Sequence, residues 1–391
     1  MKVSTELFEW MRAIRRTIHR TPELGFKEYE TSALICSKLR ELGLDYTGGV
    51  AITGVLGRLS TQLGAKTVAV RADMDALPVF EETGLEFASC VPGVMHACGH
   101  DGHVAIALGA AALLKENPPS GNVLFIFQPD EEGTGGAKPM VEAGVLNGVS
   151  AVFGGHLDLH YKTGEIAMKP GINTAFTNGF GVEITGRGGH AARPQEAIDS
   201  VLIACQMVMQ MQTIVSRMID PLMPAVVTIG KIAGGTVNNA IAESAVINGT
   251  IRTIDSTTRE TIFNKLHLLA ESLSAFYNAG IQVNIHSGYP SVVNDPGMYD
   301  IAKAAAALTV GRENIEEYPN PSMGGEDFAF FTEKIPGCFV RYGAKSSVSE
   351  HAGCAHSSRF DFDETAMIVA AEFLANAVTL ALRTLSEDNN Y

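Results

Sequence analysis

The segment 122–133, NVLFIFQPDEEG, runs an almost wholly apolar stretch straight into a pair of adjacent carboxylates, Glu131 and Glu132. A strand apolar on both faces is buried on both faces, which marks a mostly parallel sheet covered by helices. In such sheets reactive groups collect at the carboxyl ends of the strands, where this acidic pair stands. Working outward, helical periodicity covers 5–20 and 27–43, with Gly43 closing the second helix. Strands are expected at 51–59 and 67–73. A loop, VPGVMHACGHDGH, then leads into the helix VAIALGAAALLKEN, stopped by Pro118 and Pro119. A further strand, SAVFGGH, follows the acidic pair.

The middle of the chain has a different rhythm. Strand at 179–186, helix at 195–219, strands at 225–232 and 244–253, helix at 257–279 and strand at 281–287 make β-α-β-β-α-β, the ferredoxin-like order. After Pro290 the pattern returns to a helix at 296–309, a strand containing GCFVRYG and a last helix at 363–384. The expected fold class is therefore α/β: residues 1–177 and 291–391 form one domain, and 178–290 are inserted into it.

Bulk properties bound the function. The chain has 391 residues, 46% hydrophobic and 18% charged, enough for two domains with sizeable cores. A net charge of −14 argues against nucleic acid or an anionic membrane as partner, and an anionic substrate would need a locally positive site. No apolar run reaches the ~18 residues that span a bilayer. The amphipathic start is no signal peptide, so a cytoplasmic location is expected. The six cysteines, without a CxxC pair, are too few for a disulfide-stapled fold.

Chemistry-bearing residues recur at loops and strand ends. MHACGHDGH (95–103) sets Cys98 two residues from His100 in a Gly-containing loop, so that one loop supplies a thiolate and an imidazole to a borderline divalent metal. GGH ends a strand at His156, and HSSRFDFDE begins at His356. In QPDEEG one carboxylate can face a metal and its neighbour a water whose proton it accepts, although an acidic turn alone reads equally as solvated surface. RADMDALP adds Asp73 and Asp75 at another strand end, placed to orient a ligand. A thiolate, three imidazoles and a carboxylate are too many for one zinc with an open position, and suit two metals. A metal-free cysteine hydrolase, with Cys98 as nucleophile and His100 as base, would use fewer of these groups.

These blocks, with RTIHRTPELGFKEYET, GRGGHAARP, GGTVNNAI and MGGEDFAFF in the same order, resemble the metal-dependent amidohydrolases of the hippurate hydrolase, aminobenzoyl-glutamate hydrolase and auxin-conjugate hydrolase group. That group sits within a larger aminoacylase and carboxypeptidase family. The resemblance implies a catalytic domain with two divalent ions and an inserted lid through which a homodimer forms. It implies Cys98, His100, Glu132, His156 and His356 as metal ligands and Glu131 as general base. His190 would polarise the scissile carbonyl, and Asn239 would join it at the same edge of the lid. Zinc is the first expectation for the metal, with manganese, nickel or cobalt as alternatives. The expected reaction is hydrolysis of the amide bond of a small anionic N-acyl amino acid. Dipeptidase or carboxypeptidase activity and deacetylation of an N-acetyl-diaminopimelate-type substrate are the alternatives. Where the family usually has alanine this chain has Asp130, a carboxylate beside the base that is expected to alter its pKa. His19, His267 and His286 are expected to be structural residues without partners. His96 and His103 are expected to support the metal loop, and His160 and His351 fall in loops with no second ligand.

Overall fold

In a computed structural model of the chain, residues 1–345 and 353–387 are described; His351 lies outside them. In chain order the main elements are α1 (Thr5–Arg20), α2 (Tyr29–Glu41), β1 (Asp45–Val50), β2 (Gly54–Leu59), β3 (Thr67–Asp73), α3 (His100–Glu116), β4 (Asn122–Gln128), β5 (Val149–Lys162) and β6 (Ile166–Met168). Then come β7 (Phe176–Thr185), α4 (Ser200–Met218), β8 (Ala225–Gly234), β9 (Ser244–Thr253), α5 (Ser256–Tyr277) and β10 (Gly280–Ser287). The chain continues through α6 (Pro296–Val310), β11 (Ile315–Glu317), β12 (Gly337–Lys345) and α7 (Ala366–Glu387).

The chain divides into two compact units. The first comprises Met1–Asn173, Val292–Asn320 and Asp327–Tyr391, and the second Thr174–Ser291 and Pro321–Glu326. The first holds an eight-stranded sheet in the order β1-β2-β4-β3-β5-β12-β6-β11. Its centre, β4-β3-β5-β12, is parallel throughout. However, β1–β2, β2–β4 and β12–β6 are antiparallel. The sheet is thus mixed: its centre and the β6–β11 pair are parallel, as expected, and the remaining three pairings are antiparallel. The physical reason at the β1–β2 edge is that β1, to which the sequence reading assigned no element, forms a hairpin with β2, and β2 itself runs antiparallel to β4.

Apolar periodicity explains what each layer buries. β4 is buried along Val123–Gln128, and α3 is buried from His100 through Leu114, so neither presents a wet face. α3 packs with α1, α7 and β3 in one core that contains Met11, Ile14, Ile18, Val104, Leu108, Phe373 and Leu374. α7 is long and apolar enough to cross a membrane by length and composition, but 67% of its apolar window is buried inside the protein. That marks it as a core helix.

The second unit carries β8-β9-β7-β10, all antiparallel, with α4 and α5 packed on the sheet. This strand order with its two crossover helices is the ferredoxin-like arrangement. In the run MVMQMQ, Met207 and Met211, one helical turn apart, enter its core, while Met209 is exposed.

α3 begins at His100, four residues earlier than its apolar periodicity suggested. Gly99 opens it in the left-handed region, φ +93°, and Asp101 occupies the first turn, where the helix dipole favours a carboxylate. Asp101 is fully buried between two cations of α1: its Oδ2 accepts from Arg15 Nε at 3.1 Å and from His19 Nδ1 at 2.8 Å. His19 therefore has partners, contrary to the sequence expectation, and its Nε2 lies 3.3 Å from Glu81. Burial alone would lower its pKa, but the hydrogen bonds to Asp101 and Glu81 outweigh it and push the imidazole up to about 9. A raised folded-state pKa stabilises fully below the unfolded value of ~6.5 and is lost as pH rises through about 9. We predict a falling urea midpoint across that window. His19→Gln should be less stable at neutral pH and lose most of that slope; an unchanged slope would refute the pairing.

Candidate metal centre

The loops that close the strands of the parallel centre bring the sequence-predicted residues together. Asp73 ends β3 and Asp75 follows it; Cys98 and His100 stand at the start of α3; Glu131 and Glu132 follow β4. His156 lies inside β5 rather than at its end, because pairing with β12 continues the strand to Lys162. His356 sits in the loop after β12 in the left-handed region, φ +67°, with its N–H donating to Ala97 O at 2.7 Å.

Their donor atoms converge. Within Cys98–His100–His156, Cys98–Glu132–His356 and His100–Glu131–Glu132, one donor atom from each residue lies within 4.8 Å of the others. Cys98 belongs to the first two sets and Glu132 to the last two, so the sets are contiguous. Cys98 Sγ is 3.3 Å from His156 Nε2, and His356 Nε2 is 2.9 Å from Glu132 Oε1.

The second ring nitrogens of His100 and His156 are tied elsewhere. His156 Nδ1 donates to Leu157 O at 2.7 Å, which leaves the Nε2 lone pair facing the thiol. His100 Nδ1 donates to Asp75 O at 3.0 Å and lies 3.2 Å from Asp75 Oδ1. The other carboxylate oxygen of Asp75 accepts Glu132 N–H at 2.9 Å. His100 Nε2 is buried without a hydrogen-bond partner, and Glu132 Oε1 faces His356 Nε2. A buried ring nitrogen left open in this way is costly unless a cation completes it. The set of sulfur, imidazole and carboxylate donors suits a borderline divalent ion, and the residues fit the metal site expected of them.

Burial holds back the charged form of His100, but Asp73, Asp75 and Cys98 overcome it and raise the imidazole's pKa. Burial also pushes the Cys98 thiol well above its ordinary value, against the pull of His100. A reactive cysteine needs the opposite shift and an accessible position, and Cys98 is buried. In His356 the hydrogen bond to Glu132 raises the pKa against partial burial.

Behind the donors lies a second layer that sequence reasoning saw only in part. Asp73 Oδ1 accepts from His103 Nδ1 at 2.5 Å, and His103 Nε2 accepts Leu157 N–H at 3.0 Å. Asp73 Oδ2 meets Arg71 Nη1 at 2.6 Å, and Arg71 reaches on to Gln128 and Asp327, both at 2.8 Å. Asp327 N–H points to Glu131 Oε1 at 3.4 Å. Arg71, Gln128 and Asp327 were missed. Their only signal was a charged or amide side chain inside an otherwise apolar strand or beside an aromatic run. His96 is buried with neither ring nitrogen paired, and burial lowers its pKa to about 4. His160 is paired with Asp158 at the surface.

In the second unit, Gly189–His190 pairs with Ala240–Ile241, and Ala191 N–H donates to Asn239 O at 3.1 Å. His190 and Asn239 are thus exposed together on one edge of that unit.

Asp130 closes a turn. Its carboxylate accepts both the N–H and the hydroxyl of Thr134, at 2.8 and 2.6 Å, and so closes the turn that carries Glu131 and Glu132. The residue has φ +51°, where Asp is tolerated better than most non-glycine residues.

A model of Peptidase family M20/M25/M40 matches residues 69–380. The chain is 42% identical over 383 residues, 95% of each chain, to thermostable carboxypeptidase 1 of Saccharolobus solfataricus. It is 41% identical over 363 residues, 92% of this chain and 85% of the other, to N-acetyl-L-cysteine deacetylase of Bacillus subtilis. Among solved structures it resembles a dinuclear metal binding peptidase of the M20 family from Bacillus subtilis, with a TM-score of 0.85 and 35% identity over 97% of this chain and 99% of that one. An α/β fold with metal-type donors at its strand ends, matched over this length, defines the class as a peptidase-family hydrolase. The chain belongs to peptidase family M20/M25/M40. The resemblance read from the sequence motifs is borne out.

A Cβ at Gly25 would lie 1.7 Å from Asp130 Oδ1. Gly25→Ala should therefore cost about 1–3 kcal/mol in thermal or urea denaturation. In an Asp130→Gly background most of that cost should vanish; an equal cost in both backgrounds would show that Asp130 does not occupy this space.

Proposed function

We propose that this chain hydrolyses the amide bond of small anionic N-acyl amino acids at a site holding two divalent metal ions. The observation that carries this reading is the convergence of Cys98, His100, Glu132, His156 and His356 with the buried His100 Nε2 left without a partner. These residues would hold the ions. Bound there, two divalent ions would supply Lewis acidity and a more acidic water. The named activities of the relatives, a carboxypeptidase and an N-acetyl amino acid deacetylase, both cleave beside an amino acid's amide nitrogen and support the substrate class.

The chain's own residues perform the proton work. Glu131 takes the proton of the attacking water and delivers it to the leaving amide nitrogen, so one carboxylate serves as base and then acid. Its neighbour Asp327 holds it through a backbone N–H. Asp75 orients His100 and Glu132 at once, and Asp73 orients His103 beside His156. By family resemblance His190 takes the carbonyl oxygen as negative charge develops there, and Asn239 contacts the substrate.

Zinc is the first choice of metal because a thiolate is in the set. Deacetylation of an N-acetyl amino acid and dipeptide cleavage are the two substrate readings that compete within this class. The metal-free cysteine mechanism is disfavoured by the burial and raised pKa of Cys98. A homodimer through residues 178–290 is proposed from the unpaired outer edge of β8 and the exposed Met209, Leu202 and Ile232 near it. Six free cysteines fit a reducing cytoplasm.

Glu131→Gln should lower kcat on N-acetyl amino acids roughly 10³-fold while two metal ions per chain remain bound, read by elemental analysis. Normal turnover would reject Glu131 as base. Chelation should abolish activity, and added zinc or manganese should restore it; a fully active metal-free protein would reject the site. In sedimentation the protein should run as a dimer and Met209→Lys as a monomer; an unchanged dimer would move the interface elsewhere.

A further inference from the structure

The segment PELGFKE, residues 22–28, lies against the loops that follow two central strands. Leu24 bridges Ala76, and Ala76 N–H donates to Glu23 O at 2.8 Å, beside the loop that holds Asp75. The Glu23 carboxylate accepts the N–H groups of Glu30 and Thr31 at the start of α2, which anchors the segment at its other end. Gly25 leaves the room that the Asp130 side chain fills. Glu28 completes the contact. Its Oε1 accepts Asp130 N–H at 3.0 Å, and its Oε2 accepts the Thr53 hydroxyl at 2.6 Å.

We propose that Glu28 is a positioning residue for the catalytic turn Asp130–Gly133, and that it acts through its negative charge. The inference rests on the proposed roles of Glu131 and Glu132. The turn hangs from three carboxylates: Glu28 on the N–H of its first residue, Asp75 on the N–H of Glu132, and Asp130 on Thr134 at its exit. Asp75 and Asp130 would each be expected in a metal-site loop. Glu28 comes from 102 residues away and serves no ligand directly.

Its surroundings make the charge conspicuous. Glu28 is fully buried, and among the described residues no Lys, Arg or His lies within ion-pair distance of it. The charged group facing it is Asp75, from the loop after β3; Asp130, from the turn after β4, offers its backbone N–H and Thr53 its hydroxyl. Burial pushes Glu28 up to about 7, against the hydrogen bonds from Thr53 and Asp130, and Asp75 adds to the rise. The carboxylate therefore forms only as pH climbs through neutrality. Ionised, it grips Asp130 N–H with a charge-assisted bond, which is stronger than the bond to a neutral acid. Protonated, it must donate to Thr53, whose hydroxyl has to reverse. The ionised form is costly to stability, since a carboxyl raised above its unfolded value loses stabilisation as pH rises toward about 7. A residue kept for packing alone would more cheaply be glutamine.

Glu28→Gln copies the protonated form and separates the two roles. Zinc affinity is measured by competition with a chromogenic chelator from about pH 5.5 to about pH 8.5, with thermal denaturation alongside. The expected result is a variant as stable as wild type, or more stable, at about pH 8 that binds zinc about tenfold more weakly there. The two affinity curves should converge below about pH 6, where wild-type Glu28 is itself protonated. Thr53→Val, which removes a donor to the carboxylate, should move the point of separation to higher pH. Parallel or coincident curves, or a loss of stability at about pH 8 with unchanged zinc affinity, would overturn the proposal. Wild-type protein that binds no zinc or other divalent ion would instead reject the two-metal reading, and this inference with it. If Glu28→Gln fails to fold, an unshifted Thr53→Val curve overturns the inference by itself.

Discussion

The carboxylate of Asp75 joins two segments that lie 25 and 57 residues further along the chain: its Oδ1 meets His100 Nδ1 and its Oδ2 accepts Glu132 N–H. Everything at the metal centre depends on that constraint. Donor atoms can face a common point with open lone pairs only if the rest of each side chain is held elsewhere, because repulsion and desolvation otherwise drive buried ionisable groups apart or into neutral forms. In this fold the holding is done by hydrogen bonds from the far nitrogens of His100 and His156 and from the backbone N–H groups of Glu132 and His356.

The surrounding layers continue the same logic. Arg71 gathers Asp73, Gln128 and Asp327 at the ends of adjacent strands, and Asp73 hands its second oxygen to His103. Arg15 and His19 hold Asp101, one residue from His100, so the first turn of α3 is fixed from α1. These groups are nearly all buried and paired, as buried charge must be to persist. A mixed sheet with a parallel centre supplies the geometry, since it brings the ends of β3 and β4 to one edge in register, Asp73 beside Gln128.

Local periodicity made much of the architecture legible. The β-α-β-β-α-β order of the second unit could be read because alternation and 3.6-residue spacing are properties of neighbouring residues. β1 escaped because DYTGGV carries little apolar signal; its pairing with β2 decides it. The early start of α3 escaped because HACGHDGH lacks helical apolar spacing, and Gly99 and the buried partners of Asp101 impose the turn instead. The shared edge of His190 and Asn239 followed from strand order alone, whereas the partners of His19, 62 and 82 residues away, followed from nothing local.

By itself the sequence determined the elements, the family and the identity of the donor-bearing motifs, because each is written in contiguous residues whose chemistry does not depend on their neighbours in space. Only the tertiary structure decided which lone pairs remain open, that Asp130 closes a turn, and that Glu28 reaches the turn carrying Glu131 and Glu132. Those outcomes depend on distances between segments a hundred residues apart, and on burial, which turns an ordinary carboxyl into one that ionises near neutrality.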